Sequence, residues 1–156
     1  MKKTFEVRSL AAEEITQLRE MLSMFGRAFG EAATYTERQP DDHYLGSLLA
    51  SSAFVAVAVF VDGKVVGGTA AYILRKFEQA RSEMYIYDLA VDENYRRQGV
   101  ASAMIGELQK IAVERGIYVI FVQADRGDDP AIALYTKLGV REDVLHFDIE
   151  PIKNGT

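Results

Sequence analysis

A chain of 156 residues with 49% hydrophobic and 26% charged side chains has the length for one domain with a substantial core, and the composition argues against disorder. Its net charge of −5 argues against a nucleic-acid backbone as the main partner. The absence of cysteine removes disulfides, thiolate metal sites and a Cys nucleophile, and only two histidines, His43 and His146, argue against a His-based metal site or a Ser-His-Asp triad.

Phe5 to Leu10 reads as a first strand. Ile15, Leu18, Leu22 and Phe25 recur at three- and four-residue spacing and predict an amphipathic helix that stops near Gly26. Pro40-Asp41-Asp42 starts a second helix with Tyr44, Leu45, Leu48 and Leu49 on its inner face. Ala53 to Val61 is a buried strand, and Asp62-Gly63 is a hairpin turn into a strand from Lys64 to about Leu74. Arg75 to Ser82 is a polar connection, and Glu83 to Val91 is the next strand.

A stripe of Ala101, Met104, Ile105, Leu108, Ile111 and Ala112 marks a helix after Gly99 that ends at Gly116. Ile117 to Ala124 is again a strand. Pro130 suits the first turn of a helix carrying Ala131, Leu134, Tyr135 and Leu138, closed by Gly139. Val144 to Ile149 reads as a last strand, and Pro151 onward as a loose tail.

The order β-α-α-β-β-β-α-β-α-β begins with hairpin strands and ends with strand–helix–strand crossovers. It predicts a single α/β domain over residues 1–156 (α+β under stricter definitions), with a mixed sheet and helices on both faces. MKKTFEVRSL lacks the apolar core of a signal peptide, and the longest apolar run, Ala53 to Val61, is too short to span a bilayer. The expectation is a soluble cytoplasmic protein with neither a membrane nor a nucleic acid as partner. From Ile117 to Thr156 seven acids face four bases, a net of −3 that suits a cationic ligand or a solvated acidic face.

The stretch YDLAVDENYRRQGVA, Tyr87 to Ala101, carries the chemistry. Backbone N–H groups at a helix start lack internal partners, and the helix dipole adds positive character, so the position suits an anion such as phosphate. Gly99 clears room for a bulky anion, and Arg96 and Arg97 add charge and donors. There is no GK[ST] and no three-glycine fingerprint. Taken alone, the segment is either a pyrophosphate cradle or a solvated helix start.

Arg96, Gly99 and Ala101 match [RQ]-x-x-G-x-[GA], the acetyl-CoA signature of the GNAT acyltransferase superfamily. Asp128-Asp129-Pro130-Ala131-Ile132-Ala133-Leu134-Tyr135-Thr136-Lys137-Leu138-Gly139-Val140 is similar to its second segment, N-x-x-A-x-x-L-Y-x-K-x-G-F, with Asp128 in place of Asn and Val140 in place of an aromatic. FGRAFGEAATY, KFEQARSEMYIYDLAV and YVIFVQADRGDDPAIALYTKLGVREDVLHFDI closely resemble the gentamicin-modifying aminoglycoside 3-N-acetyltransferases.

The resemblance implies a GNAT fold with a mostly antiparallel sheet. It also implies acetyl-CoA as donor, with CoA as product, and a polycationic aminoglycoside acetylated at its 3-amino group, conferring resistance. It places the pantetheine arm along Leu89, Ala90 and Val91, and the pyrophosphate on Arg96, Arg97, Gln98, Gly99, Val100, Ala101 and Ser102. Asp128 would stand on the cofactor side. GNAT proteins often pair through their C-terminal strands, so a homodimer is compatible with it.

An ammonium group has no lone pair, so the amine must lose a proton to attack a thioester. Asp88 is the favoured carboxylate, either as base or as a holder of the cationic substrate, with Glu83 in reserve. By the resemblance, Tyr135 protonates the leaving thiolate or donates a hydrogen bond to it. Candidate acceptor residues are Glu31, Tyr35, Asp88, Asp125, Asp129 and Glu142, and no metal is implied. A polyamine or other small cationic amine is the alternative acceptor, and a binding protein without turnover is the alternative from another class.

Overall fold

The computed structural model describes residues 4–153. Met1–Lys3 of the N-terminal reading and Asn154–Thr156 of the expected tail lie outside the described residues. The chain forms two compact units, Met1–Gln123 and Ala124–Thr156.

The first unit is a five-stranded sheet in the order β1-β2-β3-β4-β5 with helices on both faces. Its elements are β1 (Glu6–Ser9), α1 (Ile15–Phe29), α2 (Ala32–Tyr35), α3 (Asp42–Ala50), β2 (Phe54–Val61), β3 (Lys64–Arg75), β4 (Ser82–Val91), α4 (Val100–Glu114) and β5 (Ile117–Val122). β1 to β4 are antiparallel neighbours, and β5 runs parallel to β4. The fold is that of the expected mixed α+β sheet.

β2 reads FVAVAVFV and is buried along its whole length, because both faces of a central strand are covered. Asp62 and Gly63 take φ of 50° and 76°, as the expected two-residue hairpin turn requires. Two successive glycines in β3 show how closely the helices approach. A Cβ on Gly67 would lie 2.8 Å from Val100 of α4, and one on Gly68 would press into Met21 of α1. Successive strand residues face opposite sides, so α4 covers one face and α1 the other. Asp41 caps α3, its carboxylate accepting from the Tyr44 N–H at 2.9 Å.

The structure corrects two readings. The first helix does not stop at Gly26 but runs a turn further, to a left-handed Gly30. Gly26 instead admits the unexpected short helix α2, since a Cβ there would sit 2.6 Å from the Thr36 Oγ1.

The second correction concerns the second unit. It contains α5 (Asp129–Leu138), but residues 139–153 form no strand. Val144 to Ile149 has the alternation of a strand, yet a strand exists only when a neighbour takes its hydrogen bonds. Leu145, Phe147 and Ile149 are 80%, 76% and 90% exposed. Among the described residues no helix is long and apolar enough to cross a membrane.

Candidate active site

β4 outruns its parallel neighbour. Pairing with β5 extends from Ser82↔Ile117 to Ile86↔Val122 and stops, whereas pairing with β3 continues to Val91↔Gly67. Tyr87–Val91 therefore has one open edge. Hydrogen bonds alternate sides along a strand, and the Asp92 N–H donates to the Val66 carbonyl at 2.8 Å. That parity turns Ala90 toward β3 and aims the backbone groups of Leu89 and Val91 at the open edge. Of the three residues read as lining the cofactor arm, Ala90 is thus used within the sheet.

A β-bulge sits at the same place. Ala70 pairs with Asp88 and Ala71 with Ile86, so Tyr87 is the extra residue. The bulge is pinned by Thr69, fully buried, whose hydroxyl donates to the Asp88 carbonyl at 2.9 Å. Asp88 then projects over the face that carries α1. The Tyr35 hydroxyl donates to its two carboxylate oxygens at 3.1 and 3.2 Å.

Tyr35 is itself held on three sides. Its ring packs 5.9 Å from Phe25 and 5.5 Å from Phe29, and the Gln39 side-chain amide donates to its carbonyl at 3.1 Å. Burial pushes the Asp88 carboxyl above the usual carboxylate range. The Tyr35 hydrogen bond opposes that rise, and the charge of Glu31 adds to it. Burial first, then the Asp88 charge, pushes the Tyr35 phenol far above its ordinary value, so it stays a donor. Asp88 borders a cavity of about 100 Å³ walled mainly by apolar side chains, among them Leu18, Met21, Phe25, Leu45 and Phe54.

Beyond β4 a short 3-10 turn (Glu93–Tyr95) leads into α4. Gly99, at φ 81°, is the N-cap of α4, and Arg97 adopts the left-handed φ of 60° that side chains rarely take. The turn is held by its own side chains: Arg96 Nε donates to the Val91 carbonyl and the Gln98 amide to the Asn94 carbonyl, both at 3.2 Å. Val100 buries its side chain against β3, while the N–H groups of Val100, Ala101 and Ser102 open the helix without intrahelical acceptors. Backbone donors, Arg97 and the open edge of β4 are contiguous, as a cofactor with a pyrophosphate and an extended amide arm requires.

Glu83 stands apart, five positions back along β4 or roughly 16 Å of strand. Its carboxylate accepts from the Tyr118 hydroxyl and lies 3.7 Å from Lys76 Nζ. Away from the open edge at which Asp88 stands, Glu83 is thus engaged by Tyr118 and Lys76. A larger cavity, about 440 Å³, opens at that same end of the sheet beside Arg75, Ser82 and Arg115, and holds none of the residues singled out.

In the second unit, Asp128 caps α5, its carboxylate accepting from the Ala131 N–H at 3.4 Å. An Asn oxygen would accept the same bond, so the cap is kept with either residue, and it commits the group to the helix. Burial and then the Asp128 charge raise the phenol of half-buried Tyr135 above its ordinary value. Asp125, Asp129 and Glu142 are exposed. His146 Nε2 lies 2.9 Å from an Asp148 oxygen, an exposed pair.

The profile of the "Acetyltransferase (GNAT) family" matches residues 15–140. The chain belongs to the GNAT acetyltransferase family. GNAT enzymes take acetyl-CoA as acyl donor. This GNAT chain is similar over 96% of its length to the crystal structure of aminoglycoside acetyltransferase HMB0005 from an uncultured soil metagenomic sample. The identity is 51%, the TM-score 0.93, and 99% of that chain is covered. A second soil-metagenome aminoglycoside acetyltransferase, meta-AAC0020 in complex with sisomicin, shares 29% identity with a TM-score of 0.86. That likeness covers 95% of this chain and 97% of the other. The ribosomal-protein bS18-alanine N-acetyltransferase of Escherichia coli K12 is 30% identical over 73 residues, 47% of this chain. The match spans about half the length of that curated relative.

Tyr35 is among the acceptor residues read from sequence, whereas Thr69 and the further tyrosines near Asp88, Tyr72, Tyr85 and Tyr87, are not. A signal existed for two of them: Tyr85 and Tyr87 stand two apart in MYIYDLAV, the period of one strand face.

Proposed function

We propose that this GNAT enzyme acetylates an amino group of aminoglycosides, the 3-amino group, from acetyl-CoA, and so confers resistance to them. The observation that carries the reading is Asp88, held by Tyr35 beside Glu31 where β4 opens to the cofactor edge. Leu89 and Val91 take the pantetheine arm by main-chain hydrogen bonds, and Arg96–Ser102 takes the pyrophosphate. The amine nitrogen attacks the thioester carbonyl, a C–N bond forms and the C–S bond breaks. Asp88 accepts the amine proton, directly or through water, and Tyr135 donates to the leaving sulfur. A phenol raised above its ordinary value is a weak acid, so its part is chiefly a hydrogen bond.

Asp125, Asp129 and Glu142 add negative charge for a polycation. Use of acetyl-CoA goes with a cytoplasmic protein, and residues 1–156 are taken to act together as a single catalytic domain. The unpaired strand pattern at Val144–Ile149 supports a homodimer.

The test is free-thiol release from acetyl-CoA by purified protein with gentamicin, kanamycin and spermidine, with the position of the new amide read by NMR. Turnover of gentamicin with the acetyl group on N3 is expected. Acetylation at another amine would overturn the regiochemistry alone, and preference for spermidine would replace the substrate by a polyamine.

A further inference from the structure

Tyr87 is 61% exposed, although β4 is an interior strand of the sheet; it stands where the pairing with β5 has just stopped. The bulge sets it out of register, so its ring stands on the sheet face rather than in a core. It belongs to a strip of rings that runs across the sheet from Phe54 of β2 to Phe121 of β5. Tyr72 meets Tyr87 at 5.8 Å, Tyr87 meets Tyr85 at 5.7 Å, and Tyr85 stacks on Phe121 at 4.6 Å and 8°. The first two contacts are edge-on, so the rings brace one another and leave Tyr87 an open surface.

The strip lies within the electrostatic reach of Asp88: burial chiefly raises the phenols of Tyr35, Tyr72 and Tyr85, and the Asp88 charge adds to each rise. Glu31 adds a second negative charge at Asp88. Exposed aromatic faces carry negative quadrupoles, and beside two carboxylates they suit a cation with an apolar flank. A saturated amino-sugar ring has both: axial C–H bonds for the ring face and ammonium groups for the acids. A linear polyamine has the charge but no ring to lie flat.

We propose that Tyr87, braced by Tyr72 and Tyr85, is the stacking platform for an amino-sugar ring of the acceptor and selects multi-ring aminocyclitols over linear polyamines. This rests on the aminoglycoside reading above. Tyr85 is tied by its hydroxyl to Gln123 at 3.0 Å and so acts as support. Tyr87 needs only its ring.

The test compares wild type with Tyr87→Leu and Tyr87→Phe. KM is measured for gentamicin, spermidine and acetyl-CoA, and calorimetry reads gentamicin binding to the CoA-loaded protein. Tyr87→Leu is expected to raise the gentamicin KM and Kd about tenfold. The acetyl-CoA KM should stay unchanged and Tyr87→Phe should stay near wild type. Unchanged gentamicin KM and Kd in Tyr87→Leu, with wild type active on gentamicin, would overturn the platform alone. Wild type that neither acetylates nor binds gentamicin would overturn the aminoglycoside reading and the platform with it.

Discussion

The hydroxyl of Tyr35 donates to both oxygens of Asp88, across 53 positions of sequence and from a helix of four residues to the bulge of a central strand. The bond does two things to the carboxylate. It fixes its plane, and it restrains a pKa that burial would otherwise carry higher. A base useful near neutrality must be ionised yet not too strongly solvated, and those two forces set that balance.

The kcat/KM profile follows from this. Asp88 acts when ionised, and its pKa is raised, so the acid limb is expected above the ordinary carboxylate range of about 4. Tyr35→Phe removes the one influence that lowers it. The acid limb should move to higher pH, with loss of rate greatest at low pH and smallest in the alkaline range. Steady-state rates from pH 5 to 9 measure it, and a limb that stays in place or moves down would contradict the role given to Tyr35.

Asp88→Asn separates stability from activity. A carboxyl whose folded pKa is raised favours the fold when protonated. Its contribution is full below the unfolded value near 4 and is lost as pH rises through the folded value. The amide cannot ionise, so the variant should gain on wild type as pH rises, with a Tm a few degrees higher at neutrality and little difference near pH 4. kcat should fall about 100-fold or more if Asp88 is the base. Thermal melts across pH and thiol-release rates check both halves. A variant less stable than wild type at pH 7 would show that Asp88 holds the fold rather than strains it.

Much of this architecture is legible in the sequence, and the limits have a common cause. Asp62-Gly63, the α4 stripe and Arg96–Ala101 are local signals, each decided by residues within one element. Gly26 misleads because its small size serves a packing contact with Thr36, which no window around Gly26 contains. Tyr87 and Asp88 follow one another in the chain, but only the pairing with Ala70 and Ala71 creates the bulge between them. Val144–Ile149 carries a strand's alternation without a strand's partner. Contacts distant in sequence are where the reading ends.

The cradle predicts two different arginine phenotypes. Arg97 occupies a left-handed backbone position with no side-chain hydrogen bond among the described residues, so its guanidinium is available to phosphate. Arg97→Ala should raise the acetyl-CoA KM about tenfold, more at low salt than at high, with Tm nearly unchanged. Arg96 also ties the turn to Val91, so Arg96→Ala should raise KM and lower Tm together. Equal effects on stability, or an acetyl-CoA KM indifferent to Arg97, would assign the loop to structure alone.

The C-terminal segment predicts an oligomer. Leu145, Phe147 and Ile149 alternate with His146, Asp148 and Glu150, and the three apolar side chains are largely exposed. Backbone groups and apolar side chains so arranged are satisfied by strand pairing. A second copy offers an identical segment, and antiparallel pairing of identical strands about a two-fold axis gives each copy the same contact. Light scattering at micromolar concentration should give twice the chain mass, and Phe147→Asp, which places a charge in that contact, should give the single-chain mass with the first unit still folded by circular dichroism. A monomeric wild type, or a dimer untouched by Phe147→Asp, would remove this segment from the interface.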